Sequence, residues 1–231
     1  MATIIDGKAL AAKVKAQVAE ELSASGIKAG LAVIIVGDNP ASRIYVNNKR
    51  SDCRECGIES FEYALAEDTS EHELLELIKA LNCDDRVDGI LVQLPLPEQI
   101  DEQKILRAIA PDKDVDAFHP YNVGLIMTGE YRFLPCTPAG VMTMLEEYGI
   151  EIDGKNCVVV GRSNIVGKPQ AMLLLHKSGT VTICHSHTKN LAEITREADI
   201  LVAAVGKVGL ITAAMVKPGA VVIDVAMNRN E

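Results

Sequence analysis

The chain has 231 residues, of which 48% are hydrophobic, and it carries a formal net charge of −9. This composition supports a sizeable core in one or two domains and argues against disorder, while the acidic balance argues against non-specific nucleic-acid binding. No apolar run approaches the roughly 18 residues of a membrane span, the N-terminus lacks a signal-peptide core, and the six cysteines are scattered, so we expect a cytoplasmic protein with no nucleic-acid or membrane partner.

The first half of the chain alternates predicted helices with predicted strands. Apolar residues at helical spacing predict a first helix that ends near Gly26, and the continuous run 31–36 predicts a buried parallel strand. Asn39 can cap the next helix, with Pro40 at its first position and Gly57 at its end. There follow a strand over 58–65, a helix opened by a capping box at Ser70–Glu73, a strand that begins at Gly89, and a short helix that stops at Pro111.

The second half begins after a charged loop without periodicity, residues 112–119, and we place the domain boundary between residues 118 and 119. Residues 121–136 are expected to be irregular. Four β-branched runs then alternate with helical patterns, near residues 157–160, 180–184, 200–205 and 220–225. This alternation predicts a doubly wound parallel sheet with right-handed crossovers. The expected fold class is α/β, with two α/β domains, 1–118 and 119–231, flanking a cleft and the second Rossmann-like.

The turn after the run 157–160 carries the first chemical signal. Gly161 ends the strand, Gly167 follows six residues later, and a helix N-terminus with free N–H donors then points into a phosphate-sized turn. The spacing is not the usual G-x-G-x-x-G, and an ordinary βα turn is the alternative. The next strand ends without a carboxylate for a ribose 2′-hydroxyl, whereas Arg162 can hold a 2′-phosphate bidentately. The pattern favours NADP over NAD, unless Arg162 is only a solvated surface charge.

Four polar side chains in the first half are candidates for chemistry. Tyr45 and Lys49 are four residues apart and share one face of a helix. Gln93 follows an apolar strand, and ligands of open α/β sheets bind beyond the carboxyl ends of strands. Asp116 lies in the charged loop. Each has a structural alternative. Tyr45 and Lys49 could be a surface helix pair, Gln93 could be a polar contact that docks a helix, and Asp116 could belong to a solvated run of charges.

Two other groups of residues have the spacing of metal or redox sites. Cys53 and Cys56 form a C-x-x-C pair, but no second pair exists and both fall inside a helical pattern, which favours structural cysteines. His185 and His187 lack a carboxylate or cysteine that would complete a metal site, so a polar loop is preferred. We therefore expect no metal site, and the absence of a G-x-S-x-G elbow argues against an α/β-hydrolase.

Six motifs occur in order along the chain: Tyr45-Val-Asn-Asn-Lys49, Asp88-Gly-Ile-Leu-Val-Gln-Leu-Pro-Leu-Pro97, Pro111-Asp-Lys-Asp-Val-Asp116, Pro135-Cys-Thr-Pro138, Gly161-Arg-Ser-Asn-Ile-Val-Gly167 and Val222-Ile-Asp-Val225. In combination they resemble the bifunctional methylenetetrahydrofolate dehydrogenase/methenyltetrahydrofolate cyclohydrolase family of one-carbon metabolism. The likeness covers essentially the whole chain, and the Val-Gln-Leu-Pro-Leu-Pro and Lys-Asp-Val-Asp motifs are highly specific in combination.

The resemblance implies two coupled reactions: NADP takes a hydride from methylenetetrahydrofolate, and the methenyl cation is then hydrolysed to formyltetrahydrofolate. It implies that Lys49 is the key residue of the hydrolysis, as a general base or as an electrostatic group. Tyr45 would orient the folate ring system, Gln93 would tune Lys49, and Asp116 would anchor the pterin. Residues implied to contact NADP are Gly161, Arg162, Ser163, Ser186 and Met227. The family also implies a homodimer.

Three departures from the family pattern bear on this resemblance. Ala117 stands where the family usually has glycine, and Ala226-Met227 stands in place of Gly-Ile, so an allowed backbone is needed and cofactor preference can differ. The family also continues beyond the position of Glu231 with a loop and a helix that returns to the N-terminal domain. This leaves as alternatives an idle folate- or dinucleotide-binding module and a dehydrogenase without cyclohydrolase activity, although Lys49 and Gln93 argue against the latter.

Overall fold

The computed structural model describes residues 2–226. The chain divides into two compact units between Asn122 and Val123. Each unit contains a parallel β-sheet with helices, which confirms the predicted α/β class. No helix within the described residues combines the length and the apolar character needed to cross a membrane.

The first unit is built around a three-stranded sheet. Its elements are α1 (Gly7–Ser25), β1 (Gly30–Val36), α2 (Pro40–Cys56), β2 (Glu59–Leu65), α3 (Glu71–Asn82), β3 (Gly89–Val92), α4 (Glu102–Ala108) and the start of α5 (Pro120–Thr128). The strands pair in parallel in the order β2-β1-β3. The chain therefore adds β2 on one side of β1 and β3 on the other.

Alternate residues of β1 pack against different helices, because successive side chains of a strand point to opposite faces of the sheet. Ile34 lies in one buried cluster with Leu74 and Ile78 of α3. Val33 lies in a second cluster with Val46 of α2. The central strand is thus covered on both faces, which explains why its sequence is a continuous apolar run.

Local signals in the sequence set the helix boundaries. The Ser70 hydroxyl accepts a hydrogen bond from the Glu73 backbone N–H (3.3 Å), and the Glu73 carboxylate accepts one from the Ser70 N–H (2.8 Å), so the predicted capping box is present. The Asn39 side chain accepts a hydrogen bond from the Ser42 N–H (3.3 Å) at the start of α2. Gly26 follows α1 with a φ of +68°, a left-handed conformation that glycine adopts without steric cost.

The second unit carries a four-stranded parallel sheet with the order β5-β4-β6-β7. Its elements are α6 (Cys136–Glu147), β4 (Asn156–Val160), α7 (Gly167–His176), β5 (Thr180–Cys184), α8 (Leu191–Arg196), β6 (Ile200–Ala203), a 3₁₀ turn (Ala213–Met215) and β7 (Val221–Asp224). The four predicted strands are confirmed, and their order is that of a doubly wound sheet. The order reverses between β4 and β6, where such sheets bind ligands.

The prediction of irregular structure over residues 121–136 is wrong for its first part, because Pro120–Thr128 is the helix α5. Only Asn122 and Ile126 on this helix are buried, so its sequence lacks the broad apolar stripe by which a helix is recognised. Two weaker signals were present. Pro120 occupies the first helical position, and Gly129 follows the helix with a φ of +82°.

The capping box of α3 makes a testable contribution to stability. We expect Ser70→Ala to lower the free energy of unfolding by about 1 kcal/mol, because the Glu73 N–H loses its hydrogen-bond acceptor. Urea denaturation measures this change. The matched control is Ser51→Ala, which alters an exposed serine inside α2 and should leave stability equal or slightly higher. Equal stabilities of Ser70→Ala and Ser51→Ala would show that the cap does not stabilise α3.

Candidate active site

The first candidate site lies where the strand order of the first sheet reverses, at the carboxyl ends of β1 and β3. β1 leads through a short turn into α2, and β3 leads directly into Gln93. The Gln93 backbone N–H donates to the Ile34 carbonyl (2.8 Å), so the parallel pairing continues one residue beyond β3. Side chains from α2 and from the end of β3 meet at this edge of the sheet, which is where open α/β sheets bind ligands.

Lys49 and Gln93 are in direct contact across this edge. The Lys49 ammonium Nζ donates to Gln93 Oε1 at 3.4 Å. The other end of the Gln93 amide is used as well, because its Nε2 donates to the Leu94 carbonyl at 2.8 Å. The amide is thereby oriented with its oxygen towards Lys49, and the lysine is held by a neutral acceptor.

Tyr45 lies one helical turn before Lys49 on the same face of α2. The Lys49 Nζ is 5.9 Å from the centroid of the Tyr45 ring, within range of a cation–π contact. The Tyr45 side chain is 39% exposed, so one part of it remains open to a ligand. The helix therefore presents an aromatic surface beside the ammonium group.

Asp116 is the fourth member of this group and comes from the loop before α5. Desolvation raises the pKa of its carboxyl to about 6, the positive charge of Lys49 opposes that rise, and the negative charge of Asp114 adds to it. A carboxyl near the surface would titrate about two units lower. The structure thus brings Tyr45, Gln93 and Asp116 into interaction with Lys49.

The loop that carries Asp116 is not the solvated charge run that its composition indicates. Asp114 is only 1% exposed, and its Oδ2 accepts hydrogen bonds from the His119 N–H and from Asn122 Nδ2, both at 2.8 Å. The charge pattern of the loop does not distinguish Asp114 from the exposed Asp112, and only the Lys-Asp-Val-Asp motif sets Asp114 apart. Sequence reasoning therefore missed Asp114 and Asn122.

The second candidate site is the turn between β4 and α7. A Cβ on Gly167 would lie 2.2 Å from the Gly161 carbonyl oxygen, and a Cβ on Gly161 would lie 2.5 Å from the Ala204 carbonyl oxygen. Both distances are far inside van der Waals contact with backbone atoms. The φ of Gly161 is +135°, which other residues rarely adopt. This turn requires glycine at both positions, and its backbone can approach a ligand without intervening side chains.

Ser163 and Arg162 have different positions in this turn. The Ser163 hydroxyl accepts hydrogen bonds from the N–H groups of Val166 and Gly167, both at 3.2 Å, so it closes the turn at the N-terminus of α7. Arg162 is exposed. Its guanidinium is therefore accessible to an anion.

The end of β5 lies beside this turn, because the Gly161 N–H donates to the Cys184 carbonyl at 2.8 Å. The following residues form a tight turn in which the His185 N–H donates to the Thr188 hydroxyl (2.8 Å). Ser186 and His187 are exposed at its tip. A hydroxyl and a guanidinium without a competing carboxylate suit a phosphate, so the second unit fits a dinucleotide that carries a 2′-phosphate. Met227, also predicted to contact the cofactor, lies outside the described residues.

The C-x-x-C pair has the properties of structural cysteines. Cys53 and Cys56 are free and buried in α2, and burial raises the pKa of both thiols. Raised pKa values keep a thiol protonated and unreactive. Among residues 2–226, no group of three or more His, Cys, Asp or Glu side chains is arranged to hold a metal ion.

Comparison with known protein families gives two matches that together span most of the chain. The catalytic domain of tetrahydrofolate dehydrogenase/cyclohydrolase matches residues 5–116. The NAD(P)-binding domain of the same enzyme matches residues 135–231. The first match contains Tyr45, Lys49, Gln93 and Asp116, and the second contains the β4–α7 turn.

Individual relatives agree with these matches. The bifunctional protein FolD of Ruminiclostridium cellulolyticum is 64% identical over 231 residues, which are 99% of this chain and 81% of that protein. The FolD protein of Acetivibrio thermocellus is 61% identical and is covered to 82% of its length.

Solved structures show the same fold. The bifunctional FolD methylenetetrahydrofolate dehydrogenase/cyclohydrolase of Campylobacter jejuni has a TM-score of 0.96 at 52% identity, covering 99% of this chain and 83% of that one. The Trypanosoma brucei enzyme, solved with NADP cofactor and inhibitor, has a TM-score of 0.93 at 38% identity, covering 97% and 79%. On both the family matches and the relatives, the chain belongs to the tetrahydrofolate dehydrogenase/cyclohydrolase family.

Proposed function

We propose that this protein oxidises methylenetetrahydrofolate to methenyltetrahydrofolate with NADP and then hydrolyses the product to formyltetrahydrofolate. The observation that carries the proposal is the group of Tyr45, Gln93 and Asp116 around the Lys49 ammonium, at a sheet edge suited to ligands. Family membership supports both activities and favours the bifunctional enzyme over an idle binding module. The folate domain is proposed as residues 1–118 and the NADP domain as residues 119–231.

Asp116 and Tyr45 are proposed to receive the folate ring system. The pyrimidine edge of a pterin offers neighbouring N–H donors, and an ionised carboxylate accepts two of them. With a pKa of about 6, Asp116 is ionised at neutral pH. The exposed part of the Tyr45 ring supplies an apolar face on which a flat heterocycle can stack.

Lys49 and Gln93 are proposed to serve the hydrolysis. Water adds to the carbon between the two nitrogens of the methenyl cation and loses a proton. One C–N bond then breaks as its nitrogen takes a proton and the hydroxyl loses its own to become the formyl carbonyl, so that one proton is released overall. Lys49 Nζ, held by Gln93 Oε1 at 3.4 Å, is placed to carry the proton of the added water to that nitrogen. The Gln93 amide contributes an oriented acceptor that limits the positions of the amine.

The second unit is proposed to bind NADP, which supplies the acceptor for the hydride. The glycine turn at Gly161 and Gly167 gives the pyrophosphate access to the N-terminus of α7. Arg162 and Ser186 would bind the 2′-phosphate, and Ser163 would keep the turn closed through its two hydrogen bonds. Met227 is proposed as a further contact.

Two assignments are proposed from the family and from composition. The first is a homodimer. The second is a cytoplasmic location, supported by the thiols of Cys53, Cys56, Cys83, Cys157 and Cys184, since a reducing compartment keeps such groups from forming disulfides.

The direct test is a time course with methylenetetrahydrofolate and NADP, following NADPH and the methenyl chromophore separately. We expect NADPH to form with little methenyl intermediate. Persistent methenyl would limit the protein to the dehydrogenase reaction. No NADPH, with NAD also tried, would contradict the proposed function.

Lys49→Met should separate the two reactions, because methionine keeps similar bulk and removes the amine. We expect methenyltetrahydrofolate hydrolysis to fall by about 100-fold or more, the range of a lost acid–base group. Lys79→Met changes an exposed lysine on α3 and should hydrolyse at the native rate. Hydrolysis at that rate by Lys49→Met would show that another residue moves the proton.

Arg162→Ala should weaken NADP binding about tenfold or more and leave NAD binding within about twofold, because only NADP offers a phosphate to the guanidinium. Isothermal titration with each dinucleotide measures both constants. Lys155→Ala removes a positive charge paired with Glu151 and is the matched control. Equal losses for NADP and NAD would refute the 2′-phosphate role.

Asp116 predicts a pH dependence of stability in the ligand-free protein. Its folded pKa of about 6 lies above its ordinary value, so its contribution to stability is greatest at low pH and is lost as the pH rises towards 6. Asn cannot ionise, so the stability of Asp116→Asn relative to the native chain should rise between pH 4 and pH 7. Urea unfolding across this range measures the difference, with Asp112→Asn as the exposed control from the same loop. A difference that does not change with pH would contradict the raised pKa.

A further inference from the structure

The loop between α4 and α5 is closed on itself by one buried pair of side chains. Asp114 is 1% exposed and Asn122 is 4% exposed. Asn122 Nδ2 donates to Asp114 Oδ2 and to the Pro111 carbonyl, both at 2.8 Å. The same Asp114 oxygen accepts the His119 N–H at 2.8 Å. The pair therefore joins the beginning and the end of the loop to its centre.

The loop is also fastened to the sheet at two points. The Ile90 N–H donates to the Lys113 carbonyl at 2.7 Å, so the residue before Asp114 continues the hydrogen bonding of β3. Val115, the residue after Asp114, fills the space over Gly89, where a Cβ would lie 2.5 Å from Val115 Cγ1. Both neighbours of Asp114 are thus fixed against β3.

Lys113 ties the loop to a helix as well. Its Nζ donates to the Leu81 carbonyl (3.2 Å) and the Asp84 carbonyl (2.9 Å) at the end of α3. Both carbonyls lie at or just beyond the C-terminus of α3, where a cation is favourable. Lys113 and Asp114 therefore both anchor the loop.

Asp116 projects from this anchored frame. It precedes Ala117, whose N–H donates to the Asp114 carbonyl at 3.1 Å and whose φ is +55°. A left-handed alanine costs roughly 1–2 kcal/mol, so the surrounding contacts must hold this turn in place. The anchored loop therefore fixes the direction of the Asp116 side chain.

We propose that Asp114 and Asn122 are positioning residues that hold the Asp116 carboxylate beside Lys49 to receive the folate ring. The proposal rests on the proposed function, since it assigns the means by which that site is kept ready. The geometry supports a positional role. The hydrogen bonds of Asp114 hold residues that are close to Asp116 in the chain, and the bond between Ile90 and Lys113 joins the same loop to β3. A pre-organised carboxylate loses less entropy when a ligand binds.

Asp114 has a second effect on Asp116 through its charge. The titratable groups that act on Asp116 are Lys49 from α2, which lowers its pKa, and Asp114 from the same loop, which raises it. Asparagine at position 114 would keep an oxygen that can accept both hydrogen bonds and would remove the charge. Position and charge can therefore be separated by substitution.

The experiment compares the native protein with Asp114→Ala, Asn122→Ala and Asp114→Asn, and uses Asp112→Asn as the control. At pH 8, we expect the two alanine variants to raise the KM for methylenetetrahydrofolate at least tenfold while the KM for NADP stays within twofold. Asp114→Asn should keep the native KM at this pH. Asp112 is exposed, and its replacement should change neither constant.

The second readout is the pH dependence of binding, measured by isothermal titration with 5-formyltetrahydrofolate between pH 5 and pH 8. The affinity of the native protein should fall below about pH 6 as Asp116 gains a proton. In Asp114→Asn this fall should move to lower pH, because the neighbouring negative charge is gone. A purely structural role would lower stability without moving this profile.

The outcomes separate this proposal from the proposed function. Native folate KM in a folded Asp114→Ala or Asn122→Ala variant overturns the positioning role while native turnover leaves the function intact, and an unmoved profile in Asp114→Asn overturns the charge effect of Asp114. If the alanine variants do not fold, the same KM comparison on Asn122→Ser decides, because serine has one hydrogen-bond donor where asparagine uses its amide for two bonds. A native protein that neither binds nor converts folates overturns the proposed function and the positioning role with it.

Discussion

The hydrogen bond from the Gln93 N–H to the Ile34 carbonyl extends the pairing of β3 with β1 past the end of the strand. This bond fixes where the Gln93 side chain begins, and so it fixes the reach of the amide to Lys49 on α2. The lysine needs a separate constraint, which is the packing of Val46 of the same helix against Val33 and Ile35. Chemistry at this edge thus depends on the register of two parallel strands and on one helix face.

The candidate site of the second unit depends on a steric constraint. The turn between β4 and α7 must bring its backbone close to a charged molecule, and this requires glycine. Gly167 lies against the carbonyl of Gly161, and Gly161 lies against the carbonyl of Ala204 in the loop after β6. The turn and that loop belong to the two strands at which the sheet order reverses. Backbone packing here does what side-chain contacts do in the first unit.

Sequence reasoning reached the parts of the fold that depend on local patterns. The capping box of Ser70 and Glu73, the glycine stop of α1 and the seven strands within residues 2–226 each follow from residues close together in the chain. The strand-end position of Gln93 also followed, because ligands of open α/β sheets bind beyond the carboxyl ends of strands, whereas its contact with Lys49 was implied by the resemblance to the family. Helix α5 did not, since its buried face is only Asn122 and Ile126. Asp114 was missed for a related reason: burial of a carboxylate is decided by donors that arrive from elsewhere in the fold.

Ala117 shows how such a fold can accept a change at a demanding position. Its left-handed backbone costs roughly 1–2 kcal/mol relative to glycine. Two effects oppose this cost. Alanine lowers the conformational entropy of the unfolded chain, which stabilises the fold by about 0.4–1 kcal/mol. Burial of its methyl group, in a residue only 1% exposed, stabilises the fold by about 0.8 kcal/mol. The gains and the cost nearly cancel, so an exchange of glycine and alanine at position 117 changes the free energy of unfolding little. What differs is the number of backbone conformations open to the loop, and natural variation at this position can therefore alter the loop's rigidity while leaving the energy of the fold almost unchanged.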